Sequence, residues 1–194
     1  MEARRTYTMR ARAESVERTR EDILAAARAL TEERASFTVG LADVAALAGV
    51  TMRTILRHFG NREGLFDALS EHMRGLVEEE RATPVGDLPE AVRTIVAHYE
   101  KRGNLVLRML EEEALDPQLA ETVAAGRHMH RDWVRTVFAP YLEAALDPSA
   151  LEDLLVVATD VYTWKLLRLD AGHTRKQTEE RVLTMIRRLA EGGQ

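Results

Sequence analysis

Residues 41–59 read Leu41-Ala42-Asp43-Val44-Ala45-Ala46-Leu47-Ala48-Gly49-Val50-Thr51-Met52-Arg53-Thr54-Ile55-Leu56-Arg57-His58-Phe59. A short helix is predicted over 41–47, stopping at Gly49, the residue that helix C-termini favour. Thr51 can cap a second helix running to about Phe59, where Gly60-Asn61 breaks the chain. Ala45 is small where the two helices must cross, and Val44, Val50 and Ile55 fill the space beneath. That leaves Met52, Arg53, Thr54, Arg57 and His58 for the outer side of the second helix. Helix, glycine turn, helix is the pattern of a helix-turn-helix.

The physics of that pattern points to a duplex. An α-helix fits the major groove, where its N-terminal residues reach base edges, and free N–H groups at its start favour a phosphate. Arg53 suits a guanine edge, and Arg57 and Arg62 suit the backbone. A glycine-linked helix pair also occurs in plain bundles, so the pattern alone leaves simple packing open.

Working outward, helical periodicity continues over nearly the whole chain. A first helix is predicted over 15–35, from a partial N-cap at Ser15 and the apolar positions Val16, Ile23, Leu24, Ala27 and Leu30. After Gly60-Asn61 a long amphipathic helix covers 63–81. Thr83-Pro84-Val85-Gly86-Asp87 is the clearest loop. Helices are expected at 88–101 and 105–115, split at Gly103-Asn104. Others follow from Asp116-Pro117 to 145 with a bend at Pro140, over 147–169, and over 174–190. The fold class is all-α with about nine helices.

Composition agrees. The chain has 194 residues, 45% hydrophobic and 30% charged, an ordinary balance for a folded core, with only 5% aromatic residues. No cysteine is present, which excludes disulfides, thiolate zinc sites and cysteine nucleophiles. No apolar run approaches the roughly 18 residues of a membrane helix, and the N-terminus has no apolar segment of a secretory signal. A cytoplasmic protein with no membrane partner is therefore expected. The net charge is -5, but unevenly placed. Residues 1–62 hold eleven Arg against eight Asp/Glu, whereas residues 63–194 hold sixteen Lys/Arg against twenty-four Asp/Glu. A basic head precedes an acidic body, and Arg4, Arg5, Arg10 and Arg12 lie in a basic arm, 1–14, predicted to be flexible on its own.

The stretch Val44-Ala45, Ala48-Gly49-Val50-Thr51, Arg57-His58-Phe59 and Asn61-Arg62-Glu63-Gly64-Leu65 resembles the TetR/AcrR family of bacterial transcriptional regulators. The order and spacing match over about residues 15–66; the remainder resembles the family only in architecture. The resemblance implies a DNA-binding domain over 15–62, with a recognition helix over Thr51–Phe59 and base or phosphate contacts from Met52, Arg53, Thr54 and His58. Arg62 stands where the family usually has a phosphate-binding Lys, and Leu41 and Ala42 where the preceding helix approaches DNA. Leu56 replaces a usual Tyr, removing a hydroxyl. Gly40 replaces a usual Thr, so that phosphate contact must come from the Gly40 backbone or from Thr38.

Residues 63–194 would then form a ligand-binding and dimerisation domain. The segment 151–169 is apolar on nearly all sides, so it must bury more than one face. Leu151, Leu155, Val161 and Leu166, with Val182, Ile186 and Leu189 of the last helix, are the expected half of a four-helix dimer interface. Tyr99, Met109, Met129, Trp133 and Trp164, large and spread over separate helices, are candidates to line a small-molecule inducer pocket. His128 and His130 lie some 200° apart on a helix and cannot share a metal. Asp160 is expected to be exposed or capped, and Glu111-Glu112-Glu113 a solvated face. No Gly-rich phosphate loop, G-x-S-x-G or H-E-x-x-H is present, so neither enzyme activity nor a cofactor is expected. The expectation is a homodimeric, ligand-responsive repressor that binds a palindromic double-stranded DNA operator. The rival is an all-α protein-interaction or signalling module without specific DNA binding.

Overall fold

The computed structural model describes the backbone of residues 2–192 and side chains from Glu14 onward, except that of Phe37. The arginines of the basic arm therefore lie outside the described side chains. Ten α-helices and no strand occur among the described residues. The chain divides into two compact units, residues 1–75 and 76–194.

The first unit contains α1 (Glu2–Glu33), α2 (Leu41–Leu47), α3 (Met52–Phe59) and most of α4 (Arg62–Glu80). Helix α1 begins well before Ser15. That residue is no N-cap; it sits inside the helix, where its carbonyl accepts the Thr19 hydroxyl at 2.9 Å. The core is Ile23, Leu24 and Ala27 of α1, Val39, Val44 and Ala45 around α2, Ile55 of α3, and Leu65, Phe66 and Leu69 of α4. Gly64 is there for closeness: a Cβ would overlap the Phe59 carbonyl oxygen.

The second unit contains the end of α4 with α5 (Leu88–Glu112), α6 (Pro117–Val137), α7 (Ala139–Glu143), α8 (Pro148–Ala158), α9 (Val161–Trp164) and α10 (Arg175–Gly192). Three of its helices start alike. Asp87, Asp116 and Asp147 each accept a backbone N–H from the first turn, and a proline occupies that turn, a combination that fixes a helix start by about 1 kcal/mol per cap. Helix α10 lies against α5 and α8. The core there is built from Ile95, Val96, Tyr99, Trp133, Val134, Phe138, Leu155, Trp164 and Ile186, among others.

Two expectations are corrected here. Gly103-Asn104 does not divide α5, which is continuous. Gly103 instead admits the Trp164 ring, where a Cβ would stand 2.7 Å from Cη2. The 151–169 helix is not continuous. It breaks at Thr159-Asp160, where Asp160 caps α9 by accepting the Tyr162 N–H at 2.8 Å, and it ends in a π-helical turn, Lys165–Asp170. Asp160 is thus a cap, as expected. Glu113 is not simply solvated: Arg127 holds both its oxygens at 2.7 and 2.8 Å.

Candidate functional site

In the first unit, α2 and α3 meet through a tight turn. The Ala48 N–H donates to Val44 at 2.9 Å, Gly49 adopts φ 66°, and the Val50 N–H returns to the Ala45 carbonyl at 3.0 Å. A left-handed φ of this kind is readily available only to glycine. Thr51 then caps α3, its Oγ1 accepting the Thr54 N–H at 3.1 Å and sharing a hydrogen bond with the Thr54 hydroxyl at 2.9 Å. Helix α2 starts differently. Gly40 has no side chain to cap with, so only the return half of a capping box exists: its N–H donates to Asp43 Oδ2 at 3.0 Å. That bond, joined by Arg34 at 2.7 Å, holds the Asp43 carboxyl below the ordinary carboxylate range.

On α3 the side chains sort by helical period. Ile55 is fully buried, and His58, one turn on, is half-buried on the same side. The His58 Nε2 is itself buried without a hydrogen-bond partner in the protein, and burial, then Arg57 and Arg20, pushes its pKa down. His58 thus belongs to the inner side, not the outer one. Thr54 is half-buried, whereas Thr51, Met52, Arg53, Leu56 and Arg57 are exposed. Among the described residues neither Arg53 nor Arg57 is in an ion pair, so two guanidiniums four residues apart project from one helix face. Leu56, read from sequence only as a missing Tyr, is 44% exposed beside Met52 at 53%. Its i+4 spacing from Met52 was the available signal.

Arg62 is engaged within the unit. Its Nε donates to the Val39 carbonyl at 3.1 Å and its Nη2 to Ser36 at 2.7 Å, with the guanidinium 4.4 Å from the Phe66 ring centre. It therefore holds the segment before α2. Thr38 is exposed and turns its hydroxyl to the Ala35 carbonyl at 2.7 Å. Ala42 is exposed, while Leu41 packs partly against the core.

In the second unit, Tyr99, Trp133 and Trp164 are buried in the core, and Met109 and Met129 are half-buried outside it. Tyr99 lies 6.1 Å from Trp164, ring centre to ring centre. The Trp133 indole donates to the Arg81 carbonyl at 2.9 Å and stacks on His130 at 5.9 Å. Sequence reading missed a buried polar cluster around these rings: Arg81, His98, Arg102, His130 and Thr159. Arg81 Nη1 lies 3.4 Å from His130 Nδ1. A guanidinium only donates, so Nδ1 accepts and the ring proton sits on Nε2, directed at Thr159 Oγ1 3.2 Å away. The Thr159 hydroxyl in turn donates to Leu155 at 2.7 Å. Burial pushes the His98 and His130 pKa values down to about 3 and about 4, and the Tyr99 phenol up. Glu80 is held at about 2, first by hydrogen bonds from Arg102, with Lys101 adding to them.

The residues expected at a dimer interface divide sharply. Leu151, Leu155, Val161, Val182 and Ile186 fill the unit's own core, and Leu189 packs partly against it. Leu166 alone of that set is exposed, at 61%. With it the α8–α10 region exposes Leu154, Val157, Tyr162, Leu169 and Met185. Apolar patterning identified residues that must be buried, and the chain's own helices bury most of them.

Comparison with known proteins bears on these features directly. Residues 23–69 match the model of the bacterial regulatory proteins, tetR family. Over 109 residues the chain is 37% identical to the HTH-type transcriptional repressor LfrR of Mycolicibacterium smegmatis, covering 54% of this chain and 57% of that protein. The fold resembles Salmonella enterica GusR, with a TM-score of 0.69 at 20% identity over 89% of this chain and 95% of that one. It also resembles a transcriptional regulator from Rhodococcus sp. Rha1, with a TM-score of 0.63 at 20% identity over 89% and 96% of the two chains. The glycine turn, the capped α3 and its exposed arginines all lie inside residues 23–69, the segment that is similar to the bacterial regulatory proteins of the tetR family.

Proposed function

We propose that the protein is a homodimeric repressor that binds a palindromic operator and leaves it when a small molecule occupies its second unit. The observation that carries this reading is the face of α3, where Arg53 and Arg57 project free of ion pairs among the described residues beside exposed Met52 and Leu56. Arg53, near the helix start, reaches a guanine edge, Arg57 a phosphate, and the apolar pair the methyl groups of thymines. Thr51, Thr38, Gly40 and Ala42 lie along the backbone of the duplex. His58 and Arg62 act from within, holding α3 and the 36–39 segment in place.

The exposed apolar residues of the α8–α10 region support a two-fold interface in which Leu166 meets a partner helix. A dimer places two recognition helices about 34–36 Å apart, on successive major grooves of one DNA face. Helix α4 continues from the first unit into the second. A ligand that favours one placement of α4 over another changes that spacing and lowers operator affinity. The protein acts in the cytoplasm, where the operator is.

The experiment is fluorescence anisotropy against the DNA upstream of its own gene, against scrambled DNA and against a genomic library, over a salt series. Selective, salt-dependent binding supports the reading. Failure to bind any of the three overturns it in favour of a protein-interaction module.

A further inference from the structure

Arg81 is a buried cation whose neighbouring carboxylates are already engaged. It is 8% exposed, and its Nε has no hydrogen-bond partner in the protein. Glu80, the adjacent residue, is bonded to Lys101 and Arg102. Asp160 caps α9. His130 and His98 are neutral, and His98 Nδ1 is likewise buried without a hydrogen-bond partner, 3.5 Å from Glu80. Tyr99 offers its ring, 5.7 Å from the guanidinium carbon, and its phenol oxygen, which donates to the Thr159 carbonyl at 3.2 Å, also faces the Arg81 side chain, leaving the Arg81 Nε as the unpartnered donor. The buried cations Arg81 and Arg102 thus share one close carboxylate, Glu80, which is spent on Arg102 and on the exposed Lys101, and Arg81 has no ion pair with Asp160. A buried guanidinium is costly unless an anion faces it. A planar fork of donors with unused capacity matches a carboxylate.

We infer that Arg81 is the anchor for the carboxylate of an anionic effector whose apolar or aromatic body lies among Tyr99, Trp133 and His130. The inference rests on the ligand-responsive reading above and specifies the chemistry of its ligand. Arg81 supplies the charge. The neutral His130, stacked on Trp133 at an interplanar angle of 15°, gives a flat wall that does not compete for the anion as a second carboxylate would. The location of Arg81 just past the end of α4, with its carbonyl held by Trp133, places an anion where it bears on that helix end.

The test uses the whole protein with sodium formate, acetate, benzoate and 1-naphthoate, with neutral benzamide, and with inorganic phosphate, all at one ionic strength set by sodium chloride. Thermal midpoint and tryptophan emission are read for each. The expected result is a rise in midpoint of several degrees with at least one carboxylate, with a change in emission, and none with benzamide or phosphate. Arg81→Gln, which removes the charge and keeps a polar side chain, is expected to abolish that response, and Arg81→Lys to keep part of it. No carboxylate response in the wild-type protein overturns the inference, whatever the variants do. So does a response equal to that of benzamide or phosphate, or one that survives in Arg81→Gln. Adding operator DNA separates the two readings. A carboxylate that stabilises the protein through Arg81 but leaves operator binding unchanged upholds the site and overturns ligand release. Release by benzamide as effective as by benzoate upholds release and overturns the anionic site.

Discussion

Arg62 Nη2 donates to the Ser36 carbonyl at 2.7 Å, across 26 residues of sequence. With the second bond to Val39, one guanidinium ties the start of α4 to the segment that leads into α2. Arg62→Ala is expected to destabilise the first unit by about 2 kcal/mol, because carbonyls arranged around a charged donor lose it. Arg62→Lys, with no fork to bridge two carbonyls, should recover less than half. Urea unfolding measures both. A DNA defect in Arg62→Ala with unchanged stability would instead indicate a direct phosphate contact.

Arg53 and Arg57 should behave in the opposite way. Each is exposed, so replacement by Ala is expected to change stability by less than about 0.5 kcal/mol. Arg53→Ala should cost about 1–3 kcal/mol of operator affinity and relax selectivity at one base pair. Arg57→Ala should weaken binding to all sequences alike and reduce the salt slope by about 1. Anisotropy over a salt series, on operator and scrambled DNA, separates the two.

The apolar residues of the second unit allow a paired test. Leu155 is fully buried within the chain, so Leu155→Ala should lower stability by about 2–5 kcal/mol. Leu166 is 61% exposed, so Leu166→Glu should leave the monomer fold intact and abolish dimers in sedimentation velocity. Dimers that persist in Leu166→Glu would move the interface elsewhere.

Two glycines in helices should respond with opposite signs. Gly103→Ala drives a methyl into the Trp164 ring and should destabilise by about 1–3 kcal/mol. Gly75→Ala meets nothing within 4 Å, and alanine is the better helix former by about 1 kcal/mol, so that variant should melt higher. Circular dichroism melts of the pair are sufficient.

Acid should destabilise the protein early. Burial holds His98 at about 3 and His130 at about 4, both below the ordinary 6.5 of a histidine. The unfolded chain therefore binds protons that the folded chain refuses. This contribution to stability is complete above about pH 6.5 and declines as pH falls toward 4 and 3. Glu80, held at about 2, acts in the same direction lower down, its contribution present above about 4.5 and lost toward 2. His130→Gln should remove up to about 1.4 kcal/mol per pH unit from the slope between pH 6 and 4.5. Urea midpoints over that range would refute the assignment if the variant and the parent run parallel.

The helix-turn-helix was legible in sequence because its constraints are local. Gly49 is needed for a positive φ, Thr51 for a cap, and Ala45 for a close crossing, all within seven residues. What was missed depended on partners distant in sequence. The apolar character of Leu155 and Ile186 says that they are buried but not against which surface, and the chain's own helices supplied it. Gly103 was read as a break because its reason, the Trp164 ring, lies 61 residues away. Arg81 follows an amphipathic helix and has no local mark of burial; only Tyr99, His130 and Trp133, from two other helices, enclose it. His58 was within reach of sequence reasoning, since three residues from buried Ile55 is the same side of a helix.

The division of α3 into a gripping side and a free side has a consequence for how such a protein changes its target. Ile55, His58 and the Thr51–Thr54 hydroxyl pair secure the helix, while Met52, Arg53, Leu56 and Arg57 touch little of their own chain. Substitutions at those four positions are nearly invisible to folding, so under the proposed function a lineage can rewrite the DNA word it reads without first acquiring a sturdier scaffold. A library randomised at these sites alone should consist mostly of folded proteins, differing in address rather than in architecture.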